Sequence, residues 1–320
     1  MLKEKILEYF MKNDEQITLS KLSTEFNVSR NACWKAINKL IDDGYEIHAD
    51  KKKGYTFKNN DILSITSVNL YSKYFKCVKV FDSIDSTNTY MKSLNDLENN
   101  TVIVSNMQTN GRGRRGKSFI SEKGKGAYFT FYIKDYIDTG DITFITICTA
   151  VAIRRCLNEV YNLNTDIKWL NDIYYKGKKL AGILTEATLS AEELCANELF
   201  IGIGINTLQV SDSIADFATS LEEALNLKIN RSELIGNILN YFKIVYDECF
   251  KNNGKYKILK EYKSYQFIIG MQVKVERHGE ISNATVKSIN DYAELIVEIN
   301  NQEFILNSGT IILKGENDEC

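Results

Sequence analysis

The sequence predicts an α+β protein in three parts: an N-terminal winged helix-turn-helix over 1–60, a central mixed α/β region over 66–265, and a small β-barrel over 266–320. Three observations predict this fold class. Helical periodicity followed by a lysine-rich hairpin fills the first part, strands alternate with helices in the second, and apolar residues alternate with period two in the third. The length of 320 residues also exceeds that of one ordinary domain.

Two apolar helical faces and a turn open the chain. The positions that repeat at helical spacing are Leu2, Ile6, Leu7 and Phe10 in the first segment and Leu19, Leu22 and Phe26 in the second, which starts near Thr18 or Ser20. Asn27 lies where the chain must turn, and asparagine tolerates a left-handed backbone better than most residues. Ser29 can then cap a third helix.

The third helix is expected to divide its residues between a core and a nucleic acid. Those expected to face inward are Cys33, Trp34, Ile37, Leu40 and Ile41. The other face carries hydrogen-bond donors that suit base edges and phosphates in a major groove. Strands at 45–48 and 54–57 follow, joined by a lysine-tipped wing that can hold the phosphate backbone. The predicted DNA contacts are Ser29, Arg30, Asn31, Lys35, Asn38, Lys52 and Lys53; the alternative is a small helical module with a solvated basic loop.

Composition excludes several classes of protein. A formal net charge of −2 excludes binding of nucleic acid by bulk charge, although a local basic patch stays open, since 1–58 holds eleven Lys and Arg against nine Asp and Glu. The seven cysteines are scattered without a CxxC, so we expect neither a disulfide framework nor a zinc site. Because only two histidines occur, far apart, a Ser-His-Asp triad or a His-rich metal site is close to excluded.

The sequence predicts no membrane or secretory segment. The longest strongly apolar stretch, 142–153, is too short to span a bilayer. The N-terminal residues include Glu4 and Glu8 and show no small-residue cleavage site. We therefore expect a cytoplasmic protein without membrane contact.

The central region alternates short strands with helices behind a polar linker at 58–64. We expect strands at 78–81, 102–105, 127–133, 167–169, 173–175, 183–185 and 200–203, and helices at 86–97, 144–160 and 231–250. That order predicts a mixed, antiparallel-rich sheet with helices packed on it. Between 267 and 315, four or five short alternating strands predict the small barrel.

The segment 108–118 carries most of the chemistry. It matches both GxGxxG and the GxxxxGKS phosphate loop, but each pattern needs a helix directly afterwards, and the following residues have no helical periodicity. What remains is a flexible loop with one acid, Glu122, and six cations: Arg112, Arg114, Arg115, Lys117, Lys123 and Lys125. Because glycines allow close approach and arginine matches phosphate oxygens, we expect an anionic ligand rather than a solvated basic loop.

Five ordered motifs resemble those of the bifunctional biotin protein ligases that also repress the biotin operon. They are Asp85-Ser86-Thr87-Asn88, GRGRRG at 111–116 after Gln108, Lys168-Trp169-x-Asn171-Asp172, KLAGIL at 179–184 and GIGIN at 202–206. The resemblance covers essentially the whole chain and implies a central domain of the biotin/lipoate ligase type with an SH3-like C-terminal barrel. Leu170 departs from the family, which usually has proline there; leucine permits the same backbone path without enforcing it.

The resemblance implies a two-step reaction with biotin and ATP as substrates and Mg²⁺ carried by ATP. The biotin carboxylate gives biotinyl-5′-AMP and pyrophosphate, and a lysine of the biotin carboxyl carrier protein then takes the biotinyl group. Bound biotinyl-AMP would also drive homodimerisation and operator binding. Two alternatives stay open: a lipoate or octanoate ligase or transferase, which shares the fold, and a biotin-sensing transcription factor whose enzyme domain has decayed.

The same resemblance implies roles for individual residues. The catalytic candidates are Lys168, which would bridge the biotin carboxylate and the α-phosphate, and Arg112. The expected biotin site comprises Ser86, Thr87, Asn88, Gln108, Arg112, Gly113, Arg114, Lys168, Gly182 and Gly202. The expected nucleotide site comprises Arg114, Arg115, Asn171, Asn206, Phe217, Lys274 and Lys314. No metal site made by the protein itself is expected. Ordinary roles stay open, since Ser86 can cap the helix it precedes and Asn206 can turn the chain.

Overall fold

The computed structural model describes residues 1–13, 15–50, 53–58, 60–190, 195–277 and 280–313. Its helices are α1 (Leu2–Lys12), α2 (Leu19–Phe26), α3 (Arg30–Asp42), α4 (Ile65–Tyr71), α5 (Thr87–Lys92), α6 (Ile142–Tyr161), α7 (Leu221–Leu225), α8 (Arg231–Tyr246) and α9 (Lys255–Ser264). Its strands are β1 (Glu46–Asp50), β2 (Gly54–Lys58), β3 (Lys76–Phe81), β4 (Thr101–Ser105), β5 (Gly126–Asp138), β6 (Asp166–Lys168), β7 (Asp172–Tyr175), β8 (Lys178–Ser190), β9 (Cys195–Asn206), β10 (Gln272–Arg277), β11 (Glu280–Ile289), β12 (Leu295–Ile299), β13 (Gln302–Leu306) and β14 (Thr310–Ile312). Lys52 and Lys314, two predicted contact residues, lie outside these ranges.

The N-terminal part has the predicted helix-turn-helix and hairpin. Thr18 caps α2 by accepting from the Lys21 amide at 3.2 Å, and Ser29 caps α3 by accepting from the Ala32 amide at 3.2 Å. Asn27 adopts the predicted left-handed conformation, with φ 51°. The β1–β2 hairpin is antiparallel, and Ile17 pairs with its second strand. Local capping and a turn residue therefore determine this part of the chain.

Two residues of α3 that were predicted to face the core do not do so. The buried stripe consists of Cys33, Ala36, Ile37 and Leu40, whereas Trp34 is 46% exposed and Ile41 is 40% exposed. Each of the two directly follows a buried residue in sequence. Because consecutive residues are rotated by about 100° around an α-helix, each points away from the buried stripe. The prediction was wrong for Trp34 and Ile41 because the inward stripe is narrower than the apolar content of the helix suggests.

The central sheet is mixed and antiparallel-rich, as predicted. Its seven strands run in the order β3-β4-β5-β9-β8-β7-β6, and β3–β4 is the parallel pair among them. The strands β8 and β9 are much longer than the predicted segments 183–185 and 200–203, because they pair with each other over 181–190 and 195–205 and β9 also pairs with β5 along its length. Helices α6 and α8 pack on each other and on the sheet, and their apolar side chains form the main core.

Several helix boundaries differ from the predicted ones. The helix predicted over 86–97 ends at Lys92, because the Ser93 hydroxyl donates to the Tyr90 carbonyl at 2.8 Å and Asp96 has a positive φ of 53°. The helix predicted over 231–250 ends at Tyr246 and continues as one wider turn to Lys251. Helices α4, α7 and α9 had no predicted counterpart.

The C-terminal strands form one antiparallel sheet in the order β13-β12-β11-β10-β14. Within 280–313, β13 and β14 are edges that do not pair with each other, so the sheet is open here, in an arrangement compatible with the predicted barrel. Its apolar face joins the main core through residues such as Val275, Val286 and Leu295. No helix in the described part of the chain is long and apolar enough to cross a membrane.

The predicted linker is held by a buried arginine. Arg231, 5% exposed, begins α8 and donates from Nε to Asp61 Oδ2 at 2.6 Å and from its guanidinium to Asn106 Oδ1 at 2.7 Å. The Asn60 side chain donates to the Gly44 carbonyl at 2.9 Å. The segment 60–62 is therefore bonded both to the winged helix and to the core that supports the loop at 108–118.

Candidate active site

A cleft enclosing about 900 Å³, part of it open to solvent, lies where the loop at 108–119 meets the β6–β9 end of the central sheet. The C-terminal sheet closes one side through Gly309, Thr310 and Ile311. The predicted site residues that line it are Ser86, Thr87, Asn88, Gln108, Arg112, Gly113, Arg114, Arg115, Lys168, Asn171, Gly182 and Gly202.

The floor of the cleft is made of strand glycines. Gly182 of β8 pairs directly with Gly204 of β9. A Cβ on Gly204 would lie 2.5 Å from the Phe119 ring, and a Cβ on Gly202 would lie 2.1 Å from Asn88 Oδ1. Both distances are too short for any side chain. Glycine is therefore needed at both positions, because it lets Phe119 and Asn88 pack directly against the strand backbone. Phe119 was not among the predicted site residues, because it follows the cationic loop as an isolated aromatic residue.

Neutral side chains form a hydrogen-bonded network beside this floor. Gln108 accepts from the Thr87 amide at 2.9 Å and from its hydroxyl at 3.1 Å, and donates to Ser121 at 2.9 Å. Thr130, on the buried strand β5, donates to Asn88. Ser86 caps α5 by accepting from the Thr89 amide at 3.4 Å, so its ordinary helix-capping role is present. The network orients amide and hydroxyl groups at the cleft wall without a net charge.

Glu186, absent from the predicted site, organises the cations beside this network. Its carboxylate accepts from Asn88 at 3.1 Å and from Lys92 at 3.0 Å, and lies 3.4 Å from the Arg112 guanidinium. Burial acts to raise the pKa of Glu186, but the Asn88 and Lys92 hydrogen bonds and the Arg112 charge outweigh it, and the pKa is lowered. Glu186 is the one acid of β8 and follows the apolar run at 180–184 by two residues, and this is the sequence signal that could have identified it.

Lys168 ends β6 at the inner wall of the cleft. The residue is 6% exposed, and its ammonium donates to the Tyr174 hydroxyl at 3.2 Å. It also lies 5.3 Å from the centre of the Tyr174 ring. An ammonium that is removed from water and held by strand pairing has little freedom, so its charge is available at one place in the cleft.

A second polar cluster surrounds Arg114. Its guanidinium donates to Asn171 at 3.2 Å, and Asn171 donates to Asp172 at 3.1 Å. Lys179 pairs with the same carboxylate at 3.1 Å. Burial lowers the pKa of Arg114, and the nearby charge of Asp172 opposes that shift; the guanidinium stays protonated. Two cations and one carboxylate leave this end of the cleft with net positive charge.

The cationic loop has the irregular backbone that the sequence predicts. Gln108 bridges to Ser121 and Arg112 bridges to Ser118, which folds the segment back on itself. Its one helical element is a single 3₁₀ turn, Arg114–Gly116, in which Arg115 has φ 56°. Two isolated bridges and a turn follow before β5 begins at Gly126, so neither phosphate-loop pattern has the helix it requires. The Arg112 side chain is 43% exposed, and the residue lines the cleft.

Distant elements hold the Lys168-Trp169-Leu170 turn. The Trp169 indole donates to the Ala293 carbonyl of the C-terminal sheet at 2.8 Å, and the Tyr262 hydroxyl of α9 donates to the Leu170 carbonyl at 2.8 Å. The Trp169–Leu170 peptide bond is cis. The backbone at Leu170 is therefore fixed by partners about a hundred residues away in sequence, without a proline ring.

Three other predicted nucleotide residues, Asn206, Phe217 and Lys274, lie outside the cleft lining. Asn206 is buried and donates to the Thr219 carbonyl at 3.0 Å. The Phe217 carbonyl accepts from the Lys179 amide at 2.8 Å, so the backbone of Phe217 lies next to a member of the Arg114 cluster. Lys274 is exposed on β10, and Lys314 is outside the described residues. The structure thus brings the predicted biotin residues together more completely than the predicted nucleotide residues.

Comparisons with known proteins agree with this arrangement. Residues 80–206 match the biotin/lipoate A/B protein ligase family, and residues 3–56 match an HTH domain. The bifunctional ligase/repressor BirA of Bacillus subtilis is 32% identical over 310 residues, covering 93% of this chain and 94% of that protein. BirA of Escherichia coli is 25% identical, covering 82% of each protein.

The fold has a close counterpart among solved structures. A biotin protein ligase from Aquifex aeolicus, in complex with biotin and ATP, superposes with a TM-score of 0.62 at 24% identity. The match covers 73% of this chain and 97% of that one. The bacterial relatives and this structure are all described as biotin ligases or ligase/repressors, whereas the family model covers lipoate ligases as well.

Proposed function

The chain belongs to the bifunctional biotin ligase–repressor family, and we propose that its cleft uses Lys168, Arg112 and Arg114 to join biotin to AMP. The chain is a biotin protein ligase with an N-terminal repressor helix-turn-helix. A lipoate ligase is less favoured, because the solved relative is a biotin protein ligase. A purely regulatory protein is less favoured, because Lys168, Arg112 and Arg114 are all present in the cleft.

The reaction transfers an acyl group in two balanced steps. A biotin carboxylate oxygen forms a bond to the α-phosphorus of ATP, and the bond from that phosphorus to the β-bridging oxygen breaks, releasing pyrophosphate. The neutral amine of a carrier-protein lysine then attacks the acyl carbon, the acyl–phosphate bond breaks, and AMP leaves while the amine loses a proton. The first step brings two anions together, so positioning and positive charge provide most of the catalysis.

The observation that carries the proposal is the convergence of three cations above a floor of glycines. Lys168 is fixed at the inner wall, Arg114 at one end and Arg112 on the loop beside Glu186. Lys168, a compact charge, suits the junction between carboxylate and α-phosphate, while the arginines suit phosphate oxygens. The glycines leave room for an apolar bicyclic ring, and the Thr87–Gln108 network supplies neutral partners for a ureido group.

We propose that Mg²⁺ enters with the triphosphate. Magnesium usually binds through one or two carboxylates and the phosphates of its nucleotide. Asp172 is the carboxylate among the cleft-lining residues, and Lys179 already pairs with it at 3.1 Å. This donor set fits a metal held mainly by ATP rather than by a protein cage.

The regulatory half of the proposal concerns the winged helix. We propose that biotinyl-AMP promotes homodimerisation and thereby presents two recognition helices to an operator with two half-sites. The unmodified carrier protein would consume the adenylate and so relieve repression.

ATP and operator DNA are both cytoplasmic, which supports a cytoplasmic location. We propose domain limits of 1–60, 66–265 and 266–320.

One assay tests the enzymatic proposal. The full chain is incubated with radiolabelled biotin, MgATP and a biotin carboxyl carrier domain, with lipoate as competitor. We expect biotin to be incorporated and lipoate not to reduce its incorporation. Incorporation of lipoate instead, or binding without transfer, would overturn the proposal.

For the regulatory half, sedimentation and operator binding are measured with and without biotin plus MgATP. An operator affinity and an oligomeric state that do not change would contradict it.

A further inference from the structure

The recognition helix α3 exposes one large apolar side chain among its polar groups. Trp34 is 46% exposed, although tryptophan is normally well buried in proteins of this size. It makes no ring contact or cation–π contact within the described residues. The only other tryptophan of the chain, Trp169, is 4% exposed. Trp34 is therefore not one of the side chains that form the buried core of the N-terminal part.

The position of Trp34 places it at the centre of the surface predicted to contact DNA. On an α-helix, residues four apart lie on one face, so Trp34 lies between Arg30 and Asn38. Its other neighbours, Asn31 and Lys35, are exposed as well. The surrounding groups are hydrogen-bond donors that suit phosphates and base edges.

Charge on the helix identifies the occupant of this surface. No acidic residue precedes Asp42 in α3, and within the described residues Arg30, Lys35 and Lys39 make no ion pair. Unpaired cations around an apolar centre are complementary to an anionic partner that also offers apolar groups. In the major groove of DNA, the thymine 5-methyl is the apolar group that projects from the base edges. A protein partner with an acidic rim would meet the same cations but would not offer this methyl group.

We propose that Trp34 is a specificity-determining residue of the repressor half, which reads thymine in the operator by contact between the indole and the 5-methyl group. This inference rests on the proposed operator binding and adds a base-reading role to the phosphate and donor contacts predicted for α3. The donors around Trp34 fix the register of the helix on the duplex, and the indole discriminates between bases by apolar contact.

The test uses the full chain with biotin and MgATP, and a duplex selected by the protein from a pool of random sequence. Each thymine of the selected duplex is replaced in turn by uracil, which removes only the methyl group. At least one replacement in each half-site is expected to weaken binding about fourfold, the equivalent of one buried methyl group. In Trp34→Ala the same replacement should have no effect, because the partner of the methyl group is absent.

Two controls separate a base contact from a general loss of DNA binding. Trp34→Ala removes no charge, so the dependence of affinity on salt should keep the wild-type slope. Ile41→Ala removes the other exposed apolar residue of α3, seven positions further along, and should keep the full uracil penalty. Ligation activity and circular dichroism of both variants should match the wild type, because both side chains are exposed and neither lines the cleft.

Fluorescence gives an independent measurement. Acrylamide should quench Trp34 and not the buried Trp169, and the selected duplex should protect the quenchable fraction. If wild type selects no sequence, the operator proposal and this inference both fail. If it selects a sequence but the uracil penalty persists in Trp34→Ala, or the duplex leaves Trp34 quenchable, this inference alone is overturned.

Discussion

The cations of the cleft and the cations of the recognition helix differ in how the protein holds them. In the cleft, Lys168 is 6% exposed and bonded to Tyr174, and Arg114 is bonded to Asn171. On α3, Arg30 and Lys35 are exposed, and neither makes an ion pair in the described part of the chain. The same residue types thus appear in two very different settings.

Each setting suits a different task. A buried and oriented charge costs no reorganisation when a reaction creates negative charge beside it, so it can act in a transition state. An exposed, unpaired charge is screened by salt and replaces counterions on a polyanion, so it supplies affinity rather than catalysis. Four substitutions test this contrast, in decreasing order of their effect.

The largest effect is expected for Lys168→Ala. Loss of a preorganised charge should lower the rate of adenylate formation by about 2.7–4 kcal/mol of activation free energy, roughly a hundredfold to a thousandfold. The loss should appear in kcat far more than in KM. The measurement is pyrophosphate release, with circular dichroism as the check on folding. Lys178→Ala, an exposed lysine nearby, is the matched control, and near-normal turnover by the Lys168 variant would contradict the assigned role.

A smaller effect is expected for Arg112→Ala. Arg112 lies on the loop between solvent and Glu186, so we expect it to hold the adenylate in the cleft. A hydrogen bond to a charged group contributes about 1.5–3 kcal/mol, so biotinyl-AMP should dissociate roughly ten- to 150-fold faster. Labelling of unrelated lysines by escaped adenylate measures the leak. Lys123→Ala is the control, because it removes another cation of the same loop, one that pairs with Asp82. If both variants retain the adenylate equally well, Arg112 does not hold it in the cleft.

On the DNA side, Lys35→Ala should weaken binding by a similar factor for all sequences. Because one phosphate contact is lost, the slope of log affinity against log salt concentration should become shallower by about one. Adenylate formation by the same variant should be unchanged. Lys12→Ala, whose lysine pairs with Glu8 on α1, should keep the wild-type slope. An unchanged slope for Lys35→Ala would place this residue away from the duplex.

The smallest effect is expected for Glu186→Gln and concerns pH. The pKa of Glu186 is lowered below its ordinary value of 4.5 in the folded chain. The charged form therefore stabilises the fold at and above pH 4.5, and this contribution is lost as the pH falls through the lowered pKa. Glu186→Gln should lower Tm by a few degrees at neutral pH, and the difference should disappear in acid.

Glu198→Gln is the control for that measurement, since its carboxylate accepts from Tyr132 at 2.9 Å and has no cation beside it among the described contacts. A Tm difference between Glu186→Gln and wild type that stays constant from neutral to acid pH would mean that the carboxylate charge does not stabilise Arg112 and Lys92. The contrast between paired and unpaired cations would then be weaker than the structure suggests.

Much of the fold could be predicted because it depends on short stretches of sequence. Thr18 and Ser29 cap their helices through amides three residues away, and Asn27 turns the chain by itself. Five motifs in order were enough to identify the family and most of the cleft lining. The absence of a helix after Gly116 was also visible as missing periodicity, so both phosphate-loop patterns could be set aside from the sequence.

Contacts between distant segments could not be predicted and became visible only in the folded chain. Glu186 meets Arg112 across 74 positions, and Leu170 meets Tyr262 across 92. The full lengths of β8 and β9 and the position of Phe119 over Gly204 depend on which strands pair and in what register, and this requires both partner segments to be in place. The exposure of Trp34 was decided in the same way, because the width of the buried stripe on α3 is set by the helices packed against it. Local sequence determines which groups the chain carries and where its helices begin; packing determines which of those groups meet, since each contact needs both partners in place.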